Sequence, residues 1–321
     1  MSKYILDFEA PLRVLEEKIE SLHSTAMKTG VDVTSGIKQL EDELVTKKEA
    51  IYENLSRWER VQLARHPKRP YSSDYIERVT EDWIELHGDR YFSDDTAIIG
   101  GIGKIGVQSF IIIGQEKGRG TKNKLYRNFG MPRPEGYRKA LRLMKMAEKF
   151  KIPVLTIIDT IGAYPGLGAE ERGQAEAIAR NLFEMARLQT PIISIVVGEG
   201  ASGGALGIGV ADRLLCFENT WYSVISPEGC ASILFRDATR APEAADSMKV
   251  TAQDLFDFGI ADKIISEPNG GAHLDYDAAA VIFKDIVLEE YDLLKHKTNE
   301  ELIESRMIKF EKMGRWEELS E

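Results

Sequence analysis

Cysteine is nearly absent from this chain: Cys216 and Cys230 are the two among 321 residues. Two cysteines build neither a disulfide framework nor a four-thiolate zinc site. Long apolar runs are missing as well. The longest, such as Ile192-Ile193-Ser194-Ile195-Val196-Val197, have the length of a strand, far short of the ~20 residues a membrane span needs, so no membrane partner is expected. The N-terminus, Met1-Ser2-Lys3-Tyr4-Ile5-Leu6-Asp7, lacks the apolar core of a secretory signal, which makes a cytoplasmic location the expectation. Positive charge is in deficit. Lys and Arg number 42 against 52 Asp and Glu, a formal net charge of −10, which argues against nucleic acid as a partner. There is no Walker loop, no HExxH and no paired-cysteine motif, so no metal ligand set is expected.

What is present is an ordinary globular composition, 43% hydrophobic with 27 Gly and 11 Pro, long enough for one large domain or two small ones. The charge is unevenly spread. Between Glu116 and Lys151, twelve Lys and Arg face three acids, a local +9, which leaves about −19 for the remainder. The helical half of that stretch reads as a solvated face. The other half, a loop with Lys117, Arg119, Lys122, Lys124 and Arg127 among Gly and Asn, suits an anionic ligand or an acidic partner.

Residues 1–90 read as an N-terminal helical extension. Leu12, Leu15, Ile19 and Leu22 recur at helical spacing behind Pro11, and Ile37, Leu40 and Leu44 do so after a break at Gly30, the pattern of an antiparallel hairpin. From Ala97 onward the period changes to that of an α/β domain, whose bounds are expected at 91–321. Ala97–Ile105 and Gln108–Ile113 read as a β-hairpin across Gly106. A helix follows over 134–150, then a strand over 153–158, buried on both faces. A helix over 170–188 and a second buried strand over 191–197 come next. Strands at 213–217, 221–225 and 263–265, a helix over 251–258 and a long C-terminal helix from Tyr276 complete the pattern. Alternating strands and helices imply a mostly parallel sheet with right-handed crossovers.

Two glycine-rich turns fall after buried strands, where open parallel sheets bind ligands. The first is Asp159-Thr160-Ile161-Gly162-Ala163-Tyr164-Pro165-Gly166; the second is Gly198-Glu199-Gly200-Ala201-Ser202-Gly203-Gly204-Ala205. Small residues at a helix start leave N–H groups unobstructed, and two such groups facing one cavity would form an oxyanion hole for an enolate. The second turn also fits the G-x-S-x-G elbow of a hydrolase, with Asp246 or Asp262 and His273 downstream in the required order. Ser202 is more simply a cap or turn residue, since His273 lies in a Gly-rich loop with no strand end beneath it. Glu170 and Glu171 follow the first turn and read as helix-start residues. The stretch Ser223–Gly229 reads as a strand entering a Pro-Glu turn that supports the same cavity.

Several long strings are familiar. Arg127-Asn128-Phe129-Gly130-Met131, Pro134-Glu135-Gly136-Tyr137-Arg138-Lys139-Ala140, Ala169-Glu170-Glu171-Arg172-Gly173-Gln174, both turns, and Tyr222 to Cys230 resemble the carboxyltransferase alpha subunit of bacterial acetyl-CoA carboxylase, in order from Leu6 through His273. The resemblance implies a crotonase/ClpP-like superhelix of repeated ββα units over residues 91–321, behind the helical extension. It implies the second half-reaction of the carboxylase: transfer of the carboxyl group from carboxybiotin to acetyl-CoA, forming malonyl-CoA at the first committed step of fatty acid synthesis. Carboxybiotin would be supplied on the biotin carboxyl carrier protein, with no cofactor bound by this chain itself. Biotin carboxylase and a zinc-ribbon beta subunit would be partners, in an α2β2 assembly. Gly203 and Gly204 would then stabilise the biotin oxyanion, with Gly162 and Ala163 on the opposite wall. Tyr164, Pro165, Gly200, Ser202, Ala205 and Arg127 would contact substrate. Departures from the family pattern are Ile161, Ala201 and Gly120.

Three readings stay open: a transferase half-site inactive without its beta partner; a self-contained enzyme, either a hydrolase using Ser202 or a hydratase/isomerase using Glu170 or Glu171; and a silent scaffold subunit.

Overall fold

The computed structural model describes residues 4–268 and 270–314; the first three residues and the last seven of the expected 91–321 domain lie outside the described part. Helices α1 (Ala10–Thr29) and α2 (Thr34–Glu53) form the expected hairpin, with Phe8 against Tyr52 at its base and Leu22 near Gly36 towards its tip. Gly30, at φ 69°, closes α1 by donating its N–H to the Ala26 carbonyl, as a left-handed helix end requires. Only Leu12 and Leu15 of α1, and no residue of α2, are buried. The hairpin is therefore an arm attached at its root, where the Tyr52 hydroxyl donates to buried Glu9.

Helices α3 (Arg57–Ala64) and α4 (Ser72–Val79) and strand β1 (Glu81–Glu85) precede residue 90 yet belong to the body. Tyr75, Ile76 and Val79 enter the main core, and β1 pairs antiparallel with β2 (Ile98–Ile105). Strand β3 (Gln108–Gln115) returns against β2 across Gly106 at φ 60°. The basic segment expected as a loop contains a helix, α5 (Gly120–Tyr126); one glycine at its start does not keep Lys122-Asn123-Lys124-Leu125 from coiling. Then come α6 (Pro134–Phe150), β4 (Val154–Thr160), α7 (Leu167–Glu171) and α8 (Gln174–Ala186). The single helix expected over 170–188 is interrupted because Gly173 sits at φ 82°, outside the right-handed helical region.

Strand β5 (Ile192–Ala201) runs four residues beyond its expected end at Val197, and α9 (Ser202–Leu206) follows at once. The chain ends through β6 (Arg213–Phe217), β7 (Trp221–Ser223), α10 (Pro227–Leu234), α11 (Ala241–Met248), α12 (Ala252–Asp257), β8 (Lys263–Ile265), α13 (Tyr276–Leu294) and α14 (Asn299–Glu311). Strand β7 stops two residues short of the expected Ile225.

The sheet order is β1-β2-β3-β4-β5-β6-β8, parallel from β3 onward. Strand β5 forks it. Residues 193–196 pair with β6, while 199–201 pair with β7, and this second ladder explains why β5 continues through its glycines. Alternate residues point to opposite faces. Ile112, Leu155, Ile157, Ile193 and Ile195 pack with Tyr75 and Phe283 on one side; Ile111, Ile113, Val154, Ile158, Ile192 and Val196 pack with Leu143 and Met144 on the other.

Buried charge ties the periphery to this sheet. Arg69 donates to both oxygens of Glu267, at 2.5 and 3.0 Å, and to the Val197 carbonyl; its side chain is 1% exposed and that of Glu267 0%. Arg306 of α14 grips Asp212 with two bonds of 2.9 Å and reaches the carbonyls of Met185, Leu188 and Thr190. Asp212 in turn accepts from the N–H of Ile192 at the start of β5.

His66 and His273 stack with ring centroids 4.0 Å apart. Both are buried, and neither nitrogen of His273 has a hydrogen-bond partner among the described residues. Burial, aided by nearby Lys68 and Arg69, pushes His66 down to about 4 and His273 to about 2. The unfolded chain takes up protons below pH ~6.5 that the folded chain refuses. Stability is therefore full above pH ~6.5 and falls as pH drops towards 4.5, by up to roughly 1.4 kcal/mol per pH unit for each histidine. Melting temperatures measured across that range should show this slope flattened in His273→Leu; an unchanged slope would refute the assignment.

Candidate active site

Strands β4 and β5 end side by side, with Thr160 opposite Gly200, so both turns project from the same edge. Just before their ends, each strand buries a carboxylate, Asp159 in β4 and Glu199 in β5. Asp159 and Glu199 each lie 2.6 Å from Lys117 Nζ, and Arg65 donates to Glu199 at 2.6 Å and pairs with Glu228. Gly198 makes room for this cluster: a Cβ there would lie 2.3 Å from Asp159 Oδ1. Burial keeps Asp159 above the usual carboxylate range despite Lys117. Burial also opposes the charge of Glu199, but Lys117 and Arg65 prevail and hold it below that range. Burial likewise opposes the charge on Lys117, and the two carboxylates outweigh it and keep the ammonium protonated. A cavity of about 180 Å³ opens here, lined among others by Arg65, Tyr71, Lys117, Phe129, Ile161 and Glu199.

The sequence pattern did not single out this cluster. Lys117 looked like one more cation of the basic segment, and only the fold brings it to Asp159 and Glu199. The remaining cations of that segment divide. Arg119 pairs with Asp74, and Arg127 donates to the Thr96 carbonyl and lies over Tyr126. Lys122 and Lys124 have no ion pair among the described residues. Arg127, expected to contact substrate, is thus engaged with the start of β2.

The two turns meet backbone to backbone. A Cβ on Gly204 would lie 2.4 Å from the Gly162 carbonyl carbon and 2.6 Å from Ala163 N. Ala201 is extended, at φ −97°, so its methyl causes no strain; the positive φ of the turn, 56°, falls on exposed Ser202. Among the described residues no acceptor meets the N–H of Gly203 or Gly204, as is usual in a first helical turn. On the facing turn, the Gly162 N–H is taken by Thr160 Oγ1 at 3.1 Å and the Tyr164 N–H by the Pro132 carbonyl at 3.0 Å. Ala163 is left as the turn's available donor beside Gly204, while Gly162, at φ 137°, supplies the bend.

The other expected contact residues are spread differently. Gly200 lies in the β5 ladder, where a Cβ would strike Tyr222 Cδ2 at 2.3 Å, so packing against Tyr222 requires glycine there. Tyr164 lies beneath Arg133 and covers Gly166, Pro165 is exposed and Ala205 is buried. Glu170 and Glu171 are exposed on the short helix α7. The hydrolase constellation does not assemble. His273 stacks on His66 with Glu9 3.8 Å away, Asp262 pairs with Lys309 and Arg213, and Asp246 lies 3.6 Å from Arg57.

A family model described as acetyl co-enzyme A carboxylase carboxyltransferase-like matches residues 5–314. An acetyl-coenzyme A carboxylase carboxyl transferase subunit alpha from Flavobacterium johnsoniae is 56% identical over 314 residues, 98% of this chain and 99% of that protein. A protein of the same description from Chlorobium phaeovibrioides is 52% identical, covering 99% of each. Among solved structures, transcarboxylase 12S with methylmalonyl-coenzyme A bound superimposes with a TM-score of 0.56 at 19% identity; the match covers 70% of this chain and 42% of the transcarboxylase chain. A Pseudomonas malonate decarboxylase hetero-tetramer in complex with coenzyme A gives 0.55 at 16% identity, over 67% and 85%. At such identities the shared property is the fold.

Proposed function

The chain belongs to the acetyl co-enzyme A carboxylase carboxyltransferase-like family, and on that premise we propose that the amides of Gly203, Gly204 and Ala163 hold the charge that develops on carboxyl transfer. Its relatives at 54–56% identity are acetyl-coenzyme A carboxylase carboxyl transferase alpha subunits, and the chain's role is carboxyl transfer in the formation of malonyl-CoA. It is a subunit of a multi-subunit carboxylase; the finer assembly we propose is α2β2 with a zinc-ribbon beta subunit, served by biotin carboxylase and the biotin carboxyl carrier protein.

The observation that supports the oxyanion assignment is the seating of the Gly204 backbone on Gly162 and Ala163. It sets main-chain donors from the two turns side by side, and a Cβ at position 204 would not fit the contact. A biotin ureido group supplies both the carboxyl and, once freed, a nitrogen able to take the methyl proton of acetyl-CoA. The chain then has no proton of its own to move. Its task is to present N–H dipoles that need no rearrangement as negative charge grows on oxygen, and each such donor contributes ~10²–10³ in rate. Nearby carboxylates agree with this division of labour, because Asp159 and Glu199 are already committed to Lys117.

The test mixes the chain with its beta partner and follows decarboxylation of malonyl-CoA dependent on free biotin or biocytin. Turnover is expected only with both chains present. Ser202→Ala should keep kcat within about threefold of the parent, under ~0.7 kcal/mol of transition-state stabilisation. Activity of the alpha chain alone, or its loss in Ser202→Ala with the fold intact, would overturn the assignment.

A further inference from the structure

Gln115, the last residue of β3, is fully buried and makes two hydrogen bonds in opposite directions. Its Oε1 accepts from the N–H of Asp159 at 3.1 Å, at the end of β4. Its Nε2 donates to the Gly204 carbonyl at 2.7 Å, in the helix after β5. One amide side chain therefore spans the two strand ends from which the two turns leave. Its own main chain is fixed too, since the Ser72 hydroxyl donates to the Gln115 carbonyl at 2.7 Å. The Gly204 carbonyl has a second donor, the Tyr137 hydroxyl at 3.2 Å.

A trans peptide is a rigid plane in which C=O and the next N–H point in opposite directions. Holding the Gly204 oxygen with two donors fixes the plane joining Gly204 to Ala205, and with it the pitch of the short turn whose earlier N–H groups face outward. Pure packing would be satisfied by an apolar side chain of equal volume. The amide adds a donor and an acceptor aimed at main-chain atoms of two separate segments, which is a device for register rather than for filling space.

We propose that Gln115 is a positioning residue for carboxyl transfer, setting the Gly203-Gly204 amides against the first turn. This rests on the assignment of the oxyanion to those amides. It acts through the peptide it holds and touches no substrate.

Two variants test this in the assembled alpha–beta enzyme, with biotin-dependent malonyl-CoA decarboxylation as the readout. Gln115→Met keeps the volume and removes both bonds. It should lower kcat by about 10²-fold while KM for malonyl-CoA moves by less than about threefold, because the loss falls on the transition state alone. Gln115→Glu keeps the acceptor for Asp159 N–H, but its carboxylate form repels the Gly204 oxygen, whereas its protonated form donates to it. Burial raises a carboxyl pKa, so its kcat should approach the parent value at low pH and fall as pH rises, through an ionisation absent from the parent. The titratable groups closest to this position are Asp159, already paired with Lys117, Glu116 next in the chain, and Tyr137.

A kcat in Gln115→Met within threefold of the parent, or a Gln115→Glu profile with no new ionisation, would overturn the positioning role. If Gln115→Met does not fold, the Gln115→Glu profile still decides. Failure of the underlying assignment looks different: Gly204→Ala would then leave turnover unchanged. If Gly204→Ala abolishes turnover and Gln115→Met does not, only the role of Gln115 falls.

Discussion

Gly204→Ala is expected to lower kcat for carboxyl transfer by about 10²–10³-fold, in a complex that still assembles. The added Cβ would meet two main-chain atoms of the facing turn at 2.4 and 2.6 Å, and neither can swing aside as the end of a side chain would. The turns must part, and the amides lose their common aim. Overpacking of this kind costs about 1–3 kcal/mol of stability, so the melting temperature should fall measurably as well. Gly203→Ala provides the contrast. Its Cβ would meet Ile178 Cδ1 at 3.5 Å, an ordinary contact, and alanine favours a helix over glycine by up to ~1 kcal/mol. Its melting temperature should hold or rise. Steady-state kinetics with the beta partner, size-exclusion of the complex and thermal melts separate the outcomes. Parent-like turnover in Gly204→Ala would sink the assignment.

Arg69→Met is expected to cost about 3–5 kcal/mol in chemical denaturation at pH 7, because it leaves Glu267 buried and charged without its cation. The arginine also donates to the Val197 carbonyl in β5, and Glu267 accepts the N–H groups of Asn219 and Ala272. Three segments lose a shared anchor together. The pH dependence carries its own sign. Burial opposes the charge on Glu267, yet Arg69 and the backbone donors hold its pKa below the usual range. In the parent this contribution is present above the unfolded value of ~4.3 and is lost as pH falls through the lower folded value. In the variant the uncompensated carboxylate gains by protonation, so the gap between parent and variant should narrow as pH is lowered from 7 to 4.5. A loss under ~1 kcal/mol, or a gap that widens, would refute the role given to this pair.

The parallel order of the sheet was legible in the sequence because buried stretches such as Val154–Ile158 are apolar apart from Thr156, while Gly and Pro mark the ends of such runs. Both turns were legible for the same reason. Side-chain geometry between distant segments was not. Gln115 and Lys117 lie some 40 residues or more before the groups they hold, and neither breaks any local pattern. The extension of β5 through Gly198–Ala201 was hidden because glycines discourage a strand locally, and only pairing with β7 outweighs that. The packing need for glycine at position 200 was hidden as well, because the Tyr222 ring that fills its missing Cβ comes from another strand. The break at Gly173 was visible in principle, but the apolar face on either side of it masked the interruption.

The grip of Arg306 on Asp212 has a consequence for the order in which the molecule is made. The two residues are 94 apart in the chain, so at ~5–20 residues per second the carboxylate is added to the chain about 5–20 s before its partner. During that interval the start of β5, the strand that leads to Gly203 and Gly204, rests on an anion with nothing to neutralise it. A chain cut short before α14 keeps every residue of both turns and still lacks the cation that secures the strand beneath them. Completion of synthesis is thus written into the stability of the strand that bears the glycine pair, and unfinished copies are the ones a protease would find open.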